Sequence, residues 1–439
     1  MVELLTPAGN FEKLKIAIEY GADALYGGVS HFSLRTRSSK EFSYESFEDA
    51  IKYIHFHNKK IYVTINGFPF NSQIKLLTKH IEKMAKINPD AFIVSTPGVI
   101  KLAKSIAPHI PIHLSTQANV LNYLDAQFYY EAGVSRIIVA REMSLSDVKE
   151  IKAKIPKLEL EIFVHGSMCF AYSGRCLISS VQSGRVPNRG SCANDCRFDY
   201  DMFVKEPKTK ELIKVNNNEI YIKSPDSESL FRVEEYKDGT YIMNAKDLNL
   251  INYVDKILES GVIDSVKIEG RTKSPYYTAI TARTYRKAID DFYAGKFNPK
   301  VYESELNTLK NRGYTDAYLF SRPYEKNETQ NLTTTLSEGT YQVEAIVDEN
   351  GESFLSKGKV EIDIFYELVL PKEDIKIIVN NEIGEIKKEN NNFFIKFIKL
   401  ESITGKSFET VHSGNINKIK LPINLPKFSF FRRELKSND

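Results

Sequence analysis

Residues 3–28, ELLTPAGNFEKLKIAIEYGADALYGG, decide the fold. Two short β-forming runs, ELL and ALYGG, flank a stretch in which Leu14, Ala17 and Ile18 recur at helical spacing. Asn10 stands where an N-cap belongs and Gly21 where a helix stops. The unit repeats along the chain. KIYVTIN from 60, AFIVS from 91, IHLST from 112, RIIVA from 136, LEIFV from 160 and SVKIEG from 265 supply further strands, with helical patterns between them. In the second helical stretch Ser43 is the cap and Phe47, Ile51 and Ile54 face inward. Eight such units predict an α/β fold, a (β/α)8 barrel of the TIM type, over residues 1–325.

Six units fill residues 1–158 compactly. The seventh strand is then followed by an excess of chain before the eighth, so a Cys-rich loop and insertion is expected over 165–240, on the barrel face where active sites are built. After the helical stretch SPYYTAITARTYRKAIDDFYAG comes a polar linker at 326–338. Alternating residues with turn signals then predict a small all-β, barrel-like domain at 339–425, and 426–439 forms a basic and aromatic tail. That tail reads as a packed terminus or as a nucleic-acid contact.

Of 439 residues, 42% are hydrophobic and 27% charged, and no apolar run approaches a membrane span, so no membrane association is expected. The start, MVELLTPAGNFEKLK, lacks the pattern of a secretion signal, which predicts a cytoplasmic location. The net charge of +3 neither demands nor excludes a nucleic-acid partner.

All four cysteines lie between positions 169 and 196. In a reducing compartment that clustering points to metal ligation or redox chemistry rather than disulfides. Cys169, Cys176, Cys192 and Cys196 are separated by six, fifteen and three residues, without a C-x-x-C pair. A structural zinc site usually uses tighter pairs, whereas a [4Fe-4S] cluster accepts thiolates from separate turns. The glycines, serines and Asn194 around them allow backbone amides to reach sulfur, and Arg175, Arg185, Arg189 and Arg197 can offset the negative charge. The spacing therefore favours an iron–sulfur cluster, with zinc or unliganded thiols as alternatives.

Barrel chemistry sits just beyond the C-terminal ends of strands. Those positions hold Asn66, Gln117, Asn119, Arg141, Glu142, His165, Glu269 and Arg271. Asp247 reads as a helix cap, and Glu161 as a partner for buried polar groups.

The stretch EIFVHGSMCFAYSGRCLISS (161–180) resembles the signature of the U32 peptidase family, E-x-F-x-x-G-[SA]-x-C-x-x-x-x-G-x-C-x-x-S, at every fixed position. GRVPNRGSCANDCR, MNAKDLNLI, VKIEGRTKSPYY and the opening stretch extend the likeness over most of residues 1–320. The resemblance implies a TIM-like barrel with an iron–sulfur cluster on the four cysteines. The family's name records a collagenase activity, while other members hydroxylate RNA bases or a quinone precursor without molecular oxygen. HLSTQANVLNY, ARE, FVHGSMC and KIEGR are most similar to the branch that makes 5-hydroxyuridine at the tRNA wobble position with prephenate as cosubstrate. On that reading His165, Asn66, Gln117 and Glu269 are catalytic candidates. Arg35, Arg37, Arg141, Arg271 and Asn119 are candidates to bind prephenate or a similar small dicarboxylate, because guanidinium forks match carboxylates. For tRNA contact, Lys273, Tyr276, Tyr277, Arg283 and Arg286 offer charge and stacking, against a plain solvated helix face.

The peptidase alternative lacks an HExxH or GxSxG signature and has Cys169 with His165 as its one tempting nucleophile and base. If all four thiols hold a cluster, none remains to attack a peptide. A non-catalytic RNA-binding scaffold is the third class.

Overall fold

The computed structural model describes residues 1–29, 32–34, 42–169, 171–189, 192–197, 203–214, 220–223, 230–236, 239–241, 245–321, 329, 337, 339–372 and 377–435. Eight parallel strands close on themselves: β1 (Glu3–Pro7), β2 (Ala24–Gly27), β3 (Lys60–Ile65), β4 (Ala91–Val94), β5 (Ile112–Leu114), β6 (Arg136–Ile138), β7 (Glu159–Ser167) and β8 (Ser265–Ile268), with β8 bonded to both β1 and β7. This is the predicted barrel.

The helices form for the reasons visible in the sequence. Asn10 accepts from the Lys13 amide at 2.9 Å to start α1 (Phe11–Glu19), whose Leu14, Ala17 and Ile18 are buried. Ser43 and Ser46 make a reciprocal cap on α2 (Tyr44–Phe56), which buries Phe47, Ile51 and Ile54. The helices α3 (Ile74–Lys86), α4 (Pro97–Ile106), α5 (Tyr123–Glu131) and α6 (Leu145–Lys154) cover the next strands, and after β8 the long α9 (Pro275–Tyr293) completes the ring.

Between β7 and β8 the chain makes α7 (Ile178–Ser183), extra antiparallel strands that include the hairpin Phe203–Lys205 with Leu212–Lys214, and α8 (Val254–Glu259). A short strand, Asp247–Asn249, runs antiparallel to the end of β7. There Asp247 is buried against the Arg312 guanidinium, so it is an ion-pair partner and not the helix cap its sequence suggested.

An antiparallel eight-stranded sheet follows, with Phe354, Phe397 and Phe431 packed together in its core. The boundary read at 426 moves, and of the two readings of the tail the packed one holds. Phe430–Glu434 is a central strand of that sheet, paired with Phe365–Val369 on one side and Tyr341–Val347 on the other. Alternation explains it: Phe431 faces the sheet's own core, while Phe430 and Arg432 face the barrel. Arg432, 4% exposed, bonds Glu305 at 3.0 Å, Glu367 at 2.6 Å and the Tyr276 hydroxyl at 2.9 Å. It is a buried clamp and is closed to nucleic acid. Tyr20, just past the end of α1, donates to the Phe428 carbonyl at 2.9 Å beside it.

The RNA contacts read from α9 are corrected too. Tyr276 and Tyr277 are buried, Arg283 bonds Glu305 at 2.7 Å and the Leu370 carbonyl at 3.0 Å, and Arg286 bonds Asp23 and Asp290, each at 2.7 Å. This face of α9 docks the barrel and the β sheet.

Removing one partner of a buried ionic cluster leaves the others uncompensated. Arg432→Met is therefore expected to lower unfolding stability by about 3 kcal/mol, measured by denaturant melts that follow both regions.

Candidate active site at the barrel mouth

A polar cavity opens at the C-terminal end of the barrel strands. Its wall includes Tyr26, Thr64, Asn66, Thr116, Gln117, Arg141, Phe163, Cys169, Ser173, Lys267, Glu269 and Arg271. Asn66, Gln117, Arg141, Glu269 and Arg271, predicted from separate strand ends, are thus brought together with one of the cysteines. Arg35 and Arg37 lie outside the described residues.

Arg271 is 5% exposed, and its Nη1 donates to Ser33 Oγ at 2.6 Å and Thr64 Oγ1 at 3.1 Å. Arg141 stacks on the Phe163 ring, its guanidinium carbon 4.3 Å from the centroid. Among the described residues neither guanidinium has a carboxylate partner. Glu269 accepts from the Tyr26 hydroxyl at 3.3 Å, and burial together with that carboxylate pushes the tyrosine far above its ordinary pKa, so it stays a donor. Asn66 accepts from the Leu34 amide at 3.1 Å. Gln117 lines the cavity, and its buried Oε1 has no hydrogen-bond partner among the described residues.

Two candidates stand elsewhere. Asn119 adopts a left-handed conformation, φ 56°, and its amide oxygen is taken by Arg175, so it holds the cysteine loop instead of facing ligand. His165 is corrected as a catalytic candidate. The ladder between β7 and β8 slips between Lys267 and Ile268, so that Lys267 pairs with Phe163 but Ile268 pairs with His165. Lys267 and Phe163 both line the cavity, and the slip turns His165 with Ile268 to the outer face. There its ring meets Tyr277, Tyr285 and Tyr314 at 5.6–5.8 Å between centroids, and burial drops its pKa to about 4. It is a neutral packed histidine, not a base beside Cys169.

The cysteine loop is tied to the mouth at several points. Ser173, 2% exposed, donates from its amide and hydroxyl to Glu142 at 3.0 and 2.8 Å, and its hydroxyl accepts from Thr116 at 3.3 Å. The Phe68 amide donates to the Asn188 carbonyl at 3.1 Å. Ser173 was not singled out in the sequence. Its signal would have been a serine held at a positive φ, 24°, which no sequence pattern discloses.

None of the four cysteines is joined in a disulfide among the described residues, and all four are of intermediate exposure. Burial, and then the neighbouring Cys169 and Cys192, raise the pKa of Cys176, which places three of the thiols in one neighbourhood. The Ile178 amide donates to Cys176 Sγ and the Asn194 amide to Cys192 Sγ, each at 3.4 Å. Among the described residues, no three histidine, cysteine or carboxylate side chains stand close enough to hold a single metal ion. The four thiols are soft donors, and two of them, Cys176 and Cys192, accept backbone amides as the sulfurs of a metal-bound cysteine loop do.

A family model described as Peptidase family U32 matches residues 9–329. This chain belongs to peptidase family U32. It is 56% identical to the tRNA hydroxylation protein P of Helicobacter pylori over 435 residues, covering 99% of each chain. It is 38% identical to the protein of that name in Escherichia coli, covering 86% of this chain and 88% of the relative. A collagenase of Porphyromonas gingivalis is 30% identical, covering 72% of this chain and 73% of the relative. Among the described residues no helix is long and apolar enough to cross a membrane.

Ser173 joins the cysteine loop to the strand ends, so Ser173→Ala should loosen the loop without unfolding the barrel. The expected outcome is faster limited proteolysis within residues 169–197, followed by mass spectrometry of the fragments, with an unchanged far-ultraviolet circular dichroism spectrum.

Proposed function

We propose that the chain hydroxylates tRNA uridine at C5, at the wobble position, without molecular oxygen. It would use a [4Fe-4S] cluster on Cys169, Cys176, Cys192 and Cys196, with prephenate or a similar small dicarboxylate as cosubstrate. The observation that carries this reading is Arg271: a buried guanidinium without a carboxylate partner among the described residues, on the wall of a cavity that Cys169 also lines. An uncompensated buried charge costs on the order of several kcal/mol. With Arg141 beside it, the cavity calls for an anionic ligand next to the cysteine site. The nucleic acid is supported by the Helicobacter pylori and Escherichia coli relatives, whose names carry tRNA hydroxylation and which match nearly the whole chain. A tRNA substrate places the enzyme in the cytoplasm.

The residues take roles from their chemistry. The forks of Arg141 and Arg271 hold planar carboxylates. Gln117 accepts from a ligand N–H or O–H, and Asn66 keeps the Leu34 segment over the cavity. Glu269, a carboxylate on the cavity wall, is the group placed to take a proton from a bound ligand. When bound, the cluster supplies one-electron redox chemistry at the cavity wall. Peptide hydrolysis gains nothing from this geometry, because His165 is turned away from the cavity that Cys169 lines.

The test is mass spectrometry of tRNA nucleosides from the parent organism, from a strain lacking the gene, and from that strain carrying Cys169→Ser. Loss of 5-hydroxyuridine and its derivatives in both altered strains is expected; unchanged nucleosides overturn the reading. Protein purified without air should carry about four iron and four sulfide per chain, and one zinc per chain in their place would refute the cluster. Arg271→Met should raise the KM for the dicarboxylate about tenfold or more, the loss of one charge-assisted hydrogen bond.

A further inference from the structure

The interior of the barrel is charged where aliphatic side chains usually fill it. Glu161 on β7 is fully buried and Lys267 on β8 is 3% exposed, with Lys267 Nζ 2.9 Å from Glu161 Oε1. The other carboxylate oxygen of Glu161 accepts from Arg136 Nη1 at 3.2 Å, and that nitrogen also reaches Glu3 Oε1 at 2.6 Å. Arg136 Nε bonds Glu159 at 2.8 Å. The column therefore runs from the bottom of the barrel to the cavity floor. Replacing a buried ion pair by apolar residues of similar volume is often neutral or stabilising, so stability alone gives little reason for it.

The upper end of the column is different from the rest. Lys267 has one hydrogen-bond acceptor among the described residues, Glu161, although an ammonium has three N–H groups. Its Nζ lies 4.3 Å from the centroid of Tyr26 and 5.4 Å from that of Phe163, and all three residues line the cavity. The aromatic faces stabilise the cation without using its directional donors. Glu161 cannot follow a ligand, because Arg136 holds its second oxygen.

We infer that Lys267 is a further catalytic residue, whose ammonium donates to a single oxygen of the anionic cosubstrate on the cavity floor, with Glu161 as its positioning residue. The inference rests on the anionic-cosubstrate part of the proposed function. Chemistry assigns the oxygen. Prephenate carries two carboxylates and a ketone; the planar forks of Arg141 and Arg271 suit the carboxylates, and the point-like ammonium suits the ketone oxygen. Polarising that carbonyl draws electron density from the adjoining bonds, a task for a fixed cation in a water-poor site. Burial lowers the pKa of Lys267, and the Glu161 carboxylate opposes that shift.

The test uses the full holoprotein. Lys267→Met alone strands Glu161 and risks misfolding, so the decisive variant is Glu161→Met with Lys267→Met, which removes both charges at similar volume. Arg136 keeps Glu3 and Glu159. Titration calorimetry with prephenate and turnover on tRNA are both measured, alongside iron content and melting temperature. The expected result is a folded variant with four irons, prephenate bound at least tenfold more weakly, and hydroxylation reduced a hundredfold or more. Lys267→Arg and Glu161→Gln should fall between the variant and the wild type, with KM for prephenate raised more than kcat is lowered in Glu161→Gln. A double variant that binds prephenate and turns over like the wild type would overturn the inference and make the pair barrel filling. Absence of prephenate binding to the wild-type protein would also overturn it. If wild-type protein binds prephenate and the variant does not, yet neither yields 5-hydroxyuridine, the tRNA reading fails and Lys267 stands as the ligand contact.

Discussion

The one-residue slip between β7 and β8 sets what the barrel mouth can do. Up to Phe163 and Lys267 the two strands run in register, and both side chains enter the cavity. Past that point Ile268 pairs with His165, and the imidazole leaves the interior for the layer of tyrosines under α9. The bulge thus turns His165 away from Cys169, and among the described residues the polar groups that line the cavity are cations, a carboxylate, amides and hydroxyls. Such a mouth is suited to holding an anion, and among its described residues no histidine stands beside Cys169 to serve it as a base. Beyond the slip, β7 goes on to pair with Asp247–Asn249, so the bulge also launches the chain into the cysteine loop.

Among the described residues, that loop is anchored to the barrel mouth at several points. The Ser173 bonds to Glu142 and Thr116, the Arg175 contact with Asn119, and the Asn188 carbonyl joined to Phe68 tie it to the ends of three different strands. A wide cluster with ligands from separate turns requires anchoring of this kind, because each thiolate arrives on its own piece of backbone. The amides aimed at Cys176 and Cys192 then tune the sulfurs they touch.

The barrel was legible because its signal is local: apolar runs of strand length, caps at Asn10 and Ser43, and helical stripes between them. So were the residues that strand ends deliver, Asn66, Gln117, Arg141, Glu269 and Arg271, since the fold alone predicts where they meet. What escaped depends on register. His165 follows Phe163 by two residues, and no periodicity argument foresees that a bulge will part them. Lys267 follows the opposite logic: in SVKIEG it lies two before Glu269, on the same side of the strand, and alternation could have placed it in the cavity. Asn119, Asp247 and the α9 arginines were misjudged because their partners, Arg175, Arg312, Glu305 and Asp23, are distant in sequence.

The same limit hid the fate of the last strand, and the physics there reaches the site. FSFFRRE reads as a basic tail only if its arginines are solvated. In the folded chain Phe430 meets Tyr276 edge to face, 5.4 Å between centroids, while Arg432 bonds the Tyr276 hydroxyl and Glu305. Tyr276 sits at the start of α9, next to Tyr277, whose hydroxyl donates to the Glu269 carbonyl at 2.8 Å. The β sheet therefore braces the helix that fixes the backbone of the cavity's carboxylate. Its attachment is part of how Glu269 is aimed, which gives the C-terminal unit a mechanical role in the site whatever else it contacts.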